Sequence, residues 1–281
     1  METTQQSQFP LSWRLTAYII MIGFTVLTVG PLIWLSYSSL KPHPDIVRNI
    51  FSLPTSFYVD NYVQAWKLGN LGIYSINSFI YSSTATLATT LMALAAGYGI
   101  AKFGFRISGP IYAFFLMGLL LNVYAILVPL FVMETKLGID NTRLGVILPY
   151  TAFGLPFSLF LATSYIKGLP KDVEEAAIID GAGYLGVFWH VILPVSRPVV
   201  ATMLIFSFLN NWNEFALVFI LTSKTAIRTL PVGINAFAGG MTRNYGMQFA
   251  ALVIGTLPML VFYALFNQRL QQGFASGALK E

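Results

Sequence analysis

The chain has 281 residues, of which 56% are hydrophobic and only 10% charged, and its mean hydropathy is +0.69. That balance excludes an ordinary soluble domain and places the chain among polytopic membrane proteins. The net charge of +5 comes from basic residues scattered between apolar stretches, which read as membrane flanks and not as a nucleic-acid surface, and the lack of cysteine excludes disulfides, thiolate metal sites and thiol catalysis.

The N-terminal METTQQSQFPLSWR runs into an apolar stretch too long for the core of a secretion signal. No small-residue cleavage site follows, so the stretch reads as a retained first span. A helical span needs roughly 20 apolar residues. Six stretches qualify: 15–40, 73–101, 107–133, 144–166, 199–221 and 245–267. None alternates with period two, so a barrel is not expected. The expected fold is therefore an all-α membrane protein of six transmembrane helices forming one domain, 1–281. Pro31, Pro149, Pro156 and Pro258 fall inside these stretches, as membrane helices tolerate. The second stretch carries Ala85, Ala88, Ala93, Ala96, Gly97 and Gly99. Small residues let helix backbones approach closely, which predicts a central place for it.

An even number of spans puts both termini on one side, together with segments 102–106 and 169–198. The opposite side receives 41–72, 134–143 and 222–244. Lysines and arginines divide equally between the two sides, so the positive-inside rule does not orient the chain.

Chemistry-bearing motifs are few. Gly181, Gly183 and Gly186 make a formal GxGxxG. It follows a helix instead of a strand and has no acidic partner about 20 residues on, which excludes a dinucleotide site. There is no P-loop, no HExxH and no nucleophile elbow. His43 and His190 fall on opposite sides of the membrane and cannot pair. Enzyme chemistry is not expected, nor is a cofactor or metal on this chain.

Two polar groups of residues interrupt the apolar stretches. The fifth holds Asn210, Asn211, Trp212, Asn213 and Glu214; the third holds Asn122 and Tyr124. Polar side chains at membrane depth are costly unless they face the bundle interior, a partner or water. They serve either helix–helix hydrogen bonding or a path for a hydroxyl-rich solute, with Trp212 able to stack on a sugar ring. Helical spacing puts Asn210 with Asn213 or Glu214 on one face and Asn211 off it.

Segment 169–198, LPKDVEEAAIIDGAGYLGVFWHVILPVSRP, is the one long mixed-polarity stretch between two apolar spans. Pro170 blocks the preceding helix. Asp172 is the expected N-cap, and Glu175 stands at the reciprocal capping-box position. Glu174 and Glu175 complement the helix dipole, and the Asp180–Gly183 run ends the helix.

Glu175-Ala176-Ala177, three residues, Gly181, nine residues, Val191, one residue, Leu193-Pro194 resembles the EAA loop of ATP-binding cassette importer permeases, with Val191 in place of the usual isoleucine. Asp180, Phe188 and Pro198 match the form found in the sugar-importer branch. The likeness extends to Pro129-Leu130, Leu137–Thr142, Leu148-Pro149-Tyr150, Leu155-Pro156-Phe157, Trp212–Phe215 and Thr229–Gly233, which look like the maltose-type permeases. The C-terminal stretch from Phe274 to Lys280 is similar to their glycine-rich tail but lacks the usual glycine pair.

The resemblance implies a type I importer permease fold in the prokaryotic cytoplasmic (inner) membrane, with loop and both termini cytoplasmic. It implies a sugar or oligosaccharide as solute. The implied partners are a second related permease, two ATP-binding subunits that carry MgATP, and an extracytoplasmic solute-binding protein. Glu174, Glu175, Ala176, Ala177, Asp180, Gly181, Phe188, Leu193 and Pro194 become the expected ATPase-coupling residues. Three alternatives stay open: a permease for a non-sugar solute such as a phosphorylated polyol, an ion-coupled carrier using Glu214, and a membrane scaffold.

Overall fold

The computed structural model describes residues 11–237 and 244–278, all of whose regular elements are helical. They are α1 (Leu11–Ser38), α2 (His43–Arg48), α3 (Asp60–Leu68), α4 (Leu71–Lys102), α5 (Ser108–Met117), α6 (Val123–Leu137), α7 (Arg143–Lys167), α8 (Asp172–Ile179), α9 (Tyr184–Val187), α10 (Leu193–Val195), α11 (Arg197–Asn213), α12 (Ala216–Leu221), α13 (Leu230–Ala236) and α14 (Tyr245–Ala278). Among the described residues four helices are long and apolar enough to cross a bilayer, and the number rises to six where each of two bent pairs counts as one span. The C-terminal tail expected to resemble the glycine-rich tail runs past Ala278, outside the described residues.

The chain forms two compact units. The first comprises α1 to α3 and the opening turns of α14. Here the segment after α1 folds on a buried lysine: Lys41 donates from Nζ to the carbonyls of Asn49 (3.0 Å) and Ser52 (2.8 Å). Carbonyl oxygens at this separation satisfy the ammonium where water cannot. Asn61 of α3 donates to the carbonyls of Ser39 (2.8 Å) and Lys41 (2.9 Å), closing the same turn. Gly246 lies against the Asn61 amide, where a Cβ would collide.

The second unit holds α4 to α13 and the rest of α14. Its centre is α4 packed on α7 and α11, the place the small residues predict. A Cβ on Gly97 would meet the Ala162 Cβ at 3.0 Å and the Thr163 backbone nitrogen at 3.1 Å. A Cβ on Gly154 would meet Thr89, whose hydroxyl donates to the Thr151 carbonyl at 3.2 Å. Farther along α4, Asn77 donates to the carbonyls of Ala226 (2.8 Å) and Arg228 (3.0 Å), and Ser78 accepts from the Leu230 amide (2.8 Å). These bonds strap the segment before α13 onto α4.

Two stretches expected as continuous helices are divided. Residues 107–133 split into α5 and α6, which meet at 105°. Asn122 sits at the bend, extended, and its side chain accepts from the Tyr124 amide (3.0 Å) as the N-cap of α6. Gly118 just before it lies so close to the Pro156 ring that a Cβ would stand 2.7 Å from it. The stretch 199–221 breaks after Asn213, where Glu214 is extended, and α12 restarts at Ala216. At its other end α11 meets the preceding loop helices at 77°. Glu134, expected at the mouth of a loop, is instead buried in α6 beside Gly145.

The α4–α7 contact gives a direct test. Gly97→Leu drives a side chain into the Ala162–Thr163 backbone and is expected to destabilise the fold by about 1–3 kcal/mol, the usual cost of overpacking. Thermal unfolding of the purified protein in detergent checks it, and an unchanged midpoint means that the two helices do not need this close approach.

Candidate functional site

The second unit carries two clusters of sequence-predicted residues. The first is a cavity of about 290 Å³ between α6, α7 and α11. Asn210, Asn211, Ser207, Tyr150 and Glu214 supply its polar groups, and Phe153, Phe157, Val123 and Leu217 its apolar walls. An apolar pocket with a few fixed polar groups is the form that small-molecule sites take.

The structure sorts the seven polar-segment residues differently from helical spacing. Asn211 is buried and donates to the Thr86 hydroxyl (3.4 Å), yet it also reaches the cavity with Asn210 and Glu214. Asn213 is exposed and returns its amide to the Leu209 carbonyl (3.0 Å). Trp212 is buried and stacked on Phe208 with centroids 5.8 Å apart, and it is not among the residues that line this cavity. Asn122 and Tyr124 belong to the α5–α6 bend; Asn122 is occupied as a cap and the Tyr124 side chain is exposed. Tyr150, marked in sequence only within the Leu148-Pro149-Tyr150 likeness, and Ser207 also line the cavity; a hydroxyl on an apolar helix is too common a feature to mark a site.

Glu214 has a structural role that the expected unbroken helix hid. Its Oε1 accepts from the Leu217 amide (2.8 Å), and its Oε2 accepts from the Val218 amide (3.3 Å) and the Tyr150 hydroxyl (3.4 Å). The carboxylate thus satisfies the free amides that open α12, where a helix start favours negative charge. A carboxylate so committed is a poor ion-coupling site.

The second cluster is segment 169–198. Helix α8 starts at Asp172, but no side chain caps it. The preceding residue, Lys171, is itself helical in backbone, so the extended geometry from which a cap folds back is absent. Asp172 and Glu175 therefore do not form the expected capping box. The other end is as expected: Gly181 has φ +88°, and the Ala182 amide bonds back to the Ala177 carbonyl (2.9 Å), a Schellman-type closure.

The loop has two faces. Inward, Phe188 (7% exposed), Val187 and Ile192 join Leu94, Tyr98, Ala162, Ile166, Val199 and Met203 in one apolar core, with Ala177 and Leu193 packed at its edge. A π-helical turn over Phe188–Ile192 aims these side chains. Outward, Glu175, Ala176, Asp180 and Gly181 are exposed. So are Ile179 (84%) and Leu185 (77%). Pro194 is half-buried near the bend into α11. Glu174 leaves the outer face to pair with Lys102, Oε1 to Nζ 2.5 Å. Burial alone separates residues that hold the loop from residues that it offers.

Comparison with known proteins places the chain among transport proteins. The family model described as binding-protein-dependent transport system inner membrane component matches residues 89–275. The chain is 36% identical to the diacetylchitobiose uptake system permease protein NgcG of Streptomyces coelicolor, covering 94% of this chain and 88% of that protein. It is 33% identical to the sulfoquinovosyl glycerol transport system permease protein SmoH of Agrobacterium fabrum, covering 89% and 88%. Among solved structures it is similar to a chain of a bacterial ABC transporter involved in the import of the acidic polysaccharide alginate. That match has TM-score 0.82 at 18% identity and covers 94% of this chain and 99% of the other, a likeness of fold.

Glu214→Ala removes the acceptors from the start of α12 and is expected to cost about 0.5–2 kcal/mol, as lost caps do. Glu214→Gln keeps an oxygen there and is expected to lose less. Melting midpoints of the two variants check this, and equal losses would mean that charge and not acceptance of the amides is what Glu214 supplies.

Proposed function

The chain belongs to the family of binding-protein-dependent transport system inner membrane components, and on that premise we propose that it is the transmembrane permease subunit of an ATP-driven importer of a sugar or oligosaccharide. Its part is to form one half of a solute path, not to catalyse a reaction. MgATP is bound and hydrolysed by two separate subunits, a second related permease completes the path, and an extracytoplasmic binding protein delivers the solute. The chain lies in the prokaryotic cytoplasmic membrane with both termini and segment 169–198 on the cytoplasmic side.

The observation that carries this reading is the two-faced loop. An element that only connected two spans would have no reason to expose Ile179 and Leu185 beside Glu175, Ala176 and Asp180 while anchoring Phe188 in the span core. Exposed apolar residues ringed by charge are the mark of a protein contact. A partner closing on nucleotide displaces the loop, and its buried side moves the spans. Such a device shifts a two-state equilibrium only if the partner contacts the loop differently in the two states.

The sugar is supported by the transport systems named for the relatives, whose solutes are both built on sugar rings, and by the cavity. Asn210, Asn211, Ser207 and Tyr150 offer donors and acceptors to hydroxyls, while Phe153 and Phe157 suit the apolar face of a ring. Among the described residues the cavity wall has no lysine or arginine, which favours a neutral solute over a phosphorylated polyol. The role of Glu214 as a cap disfavours the ion-coupled carrier.

The test is affinity purification of the tagged chain in mild detergent with identification of what accompanies it. A second permease and a soluble ATPase are expected; recovery of the chain alone as a homo-oligomer overturns the reading. Gly181→Asp is expected to abolish uptake of the solute by cells while the protein stays at its normal level in the membrane. An L side chain at φ +88° is strained by about 1–2 kcal/mol and adds a charge to the offered face. Full uptake by that variant would remove the loop from the mechanism.

A further inference from the structure

We infer that Lys102 is the positioning residue that makes segment 169–198 and α4 move as one body, so that coupling of ATP hydrolysis to transport runs through its ion pair with Glu174. The inference rests on the permease reading above and adds to it the route of the motion.

Lys102 is the last residue of α4. Its ammonium meets the Glu174 carboxylate at 2.5 Å, and the two side chains are only 9% and 13% exposed. The same nitrogen donates to the Leu169 carbonyl at 3.2 Å. One cation thus joins the end of α4, the exit of α7 and the first turn of α8. An ion pair on an open surface contributes little. A largely buried pair differs, because removing one partner leaves the other charge mostly buried without its counter-charge. Arrangements that break it are therefore disfavoured, which is what a mechanical link requires.

A second strap runs beside it. Tyr98, one turn earlier on α4, packs on Phe103 (5.1 Å) and Phe188 (6.0 Å), and Phe103 packs on Tyr184 (5.1 Å). The α8 half of the loop is held to α4 by charge and the α9 half by rings. Between them lies a cleft of about 410 Å³ lined by Tyr98, Lys102, Phe103, Glu174, Ile178 and Tyr184. The two straps are separated by open space, not fused through a continuous core. Ala177 ties the middle of α8 to the apolar core, but with this cleft behind its first turn the Lys102–Glu174 pair is what joins that turn to α4.

The other end of the route is the solute cavity. Thr86 lies about sixteen residues back along α4, roughly 24 Å at helical rise, and accepts from Asn211, which lines the cavity. A helix that cannot shorten carries displacement of its last turn to that bond. Glu175, the neighbour of Glu174, is exposed and belongs to the contact face. Two adjacent glutamates thus divide the work: Glu175 faces the partner and Glu174 faces the span.

The experiment uses the assembled complex in proteoliposomes and measures solute imported per ATP hydrolysed for wild type, Lys102→Ala, Glu174→Ala, Lys102→Arg and the exchange K102E/E174K. The alanine variants are expected to assemble with the ATPase and hydrolyse ATP while importing roughly fivefold or more less solute per ATP, the lower end of ordinary coupling energies. Lys102→Arg and the exchange are expected to recover most of the ratio. An unchanged ratio in either alanine variant overturns the inference and leaves the permease reading intact. So does a loss that neither Lys102→Arg nor the exchange recovers, because that pattern belongs to a residue needed for shape alone. If the alanine variants fail to assemble, Lys102→Arg and the exchange decide: ratios near wild type support the pair, and a ratio as low as that of uncoupled hydrolysis overturns it. A wild-type complex without ATP-driven uptake overturns the permease reading itself, and the inference with it.

Discussion

The close approach of α4 and α7 is the constraint on which the rest of the second unit depends. Between apolar helices in a bilayer, burial brings little gain, because lipid tails are as apolar as leucine. Association has to come from contact between backbones and from hydrogen bonds. Gly97 against Ala162 and Thr163, and Gly154 against Thr89, supply the first; Thr89 on the Thr151 carbonyl supplies the second. With this pair set, α11 lies against both, and the cavity is lined by α7 and α11 at Tyr150, Ser207 and Asn210, with Glu214 just beyond the end of α11.

Irregular backbone inside such a bundle needs its own hydrogen bonds, since no water is at hand to provide them. The two breaks meet that demand in the same way. Asn122 caps α6 across the 105° bend, and Glu214 caps α12 after α11 ends. Both residues look in sequence like members of a solute path, because a polar side chain at membrane depth has few other excuses. One is wholly engaged in shaping the backbone; the other does so at the cavity wall. Breaking a helix beside a cavity turns its end groups toward the interior, so shape and site arise from one device.

Segment 169–198 was the most legible part of the chain. Its residue spacing marked the loop, and Gly181 takes the left-handed conformation expected of it. The short apolar helix α8 is also where the pattern puts it. The capping box was not legible, because whether Asp172 can cap depends on the backbone of Lys171, set by how the loop is seated on α4. The division of Glu174 from Glu175 was hidden for the same reason: adjacent glutamates are equivalent to any pattern, and the Lys102 ammonium distinguishes them. Likewise Ala177 reads as part of an offered face and packs inward with the core.

Hydropathy and residue spacing were enough to establish a helical multi-pass membrane chain, the crowding of small residues on the central helix and the existence of an unusual loop. These are properties of short stretches, and a short stretch carries them whatever surrounds it. Which apolar stretches would break, which of the polar residues would share a cavity and which glutamate would turn inward were decided by contacts between distant segments. Asn211 meets Thr86 across 125 residues and Tyr150 meets Glu214 across 64. A hydrogen bond inside a membrane protein is set by whichever donor and acceptor the packed helices bring together, and that pairing is written in no single segment of the chain.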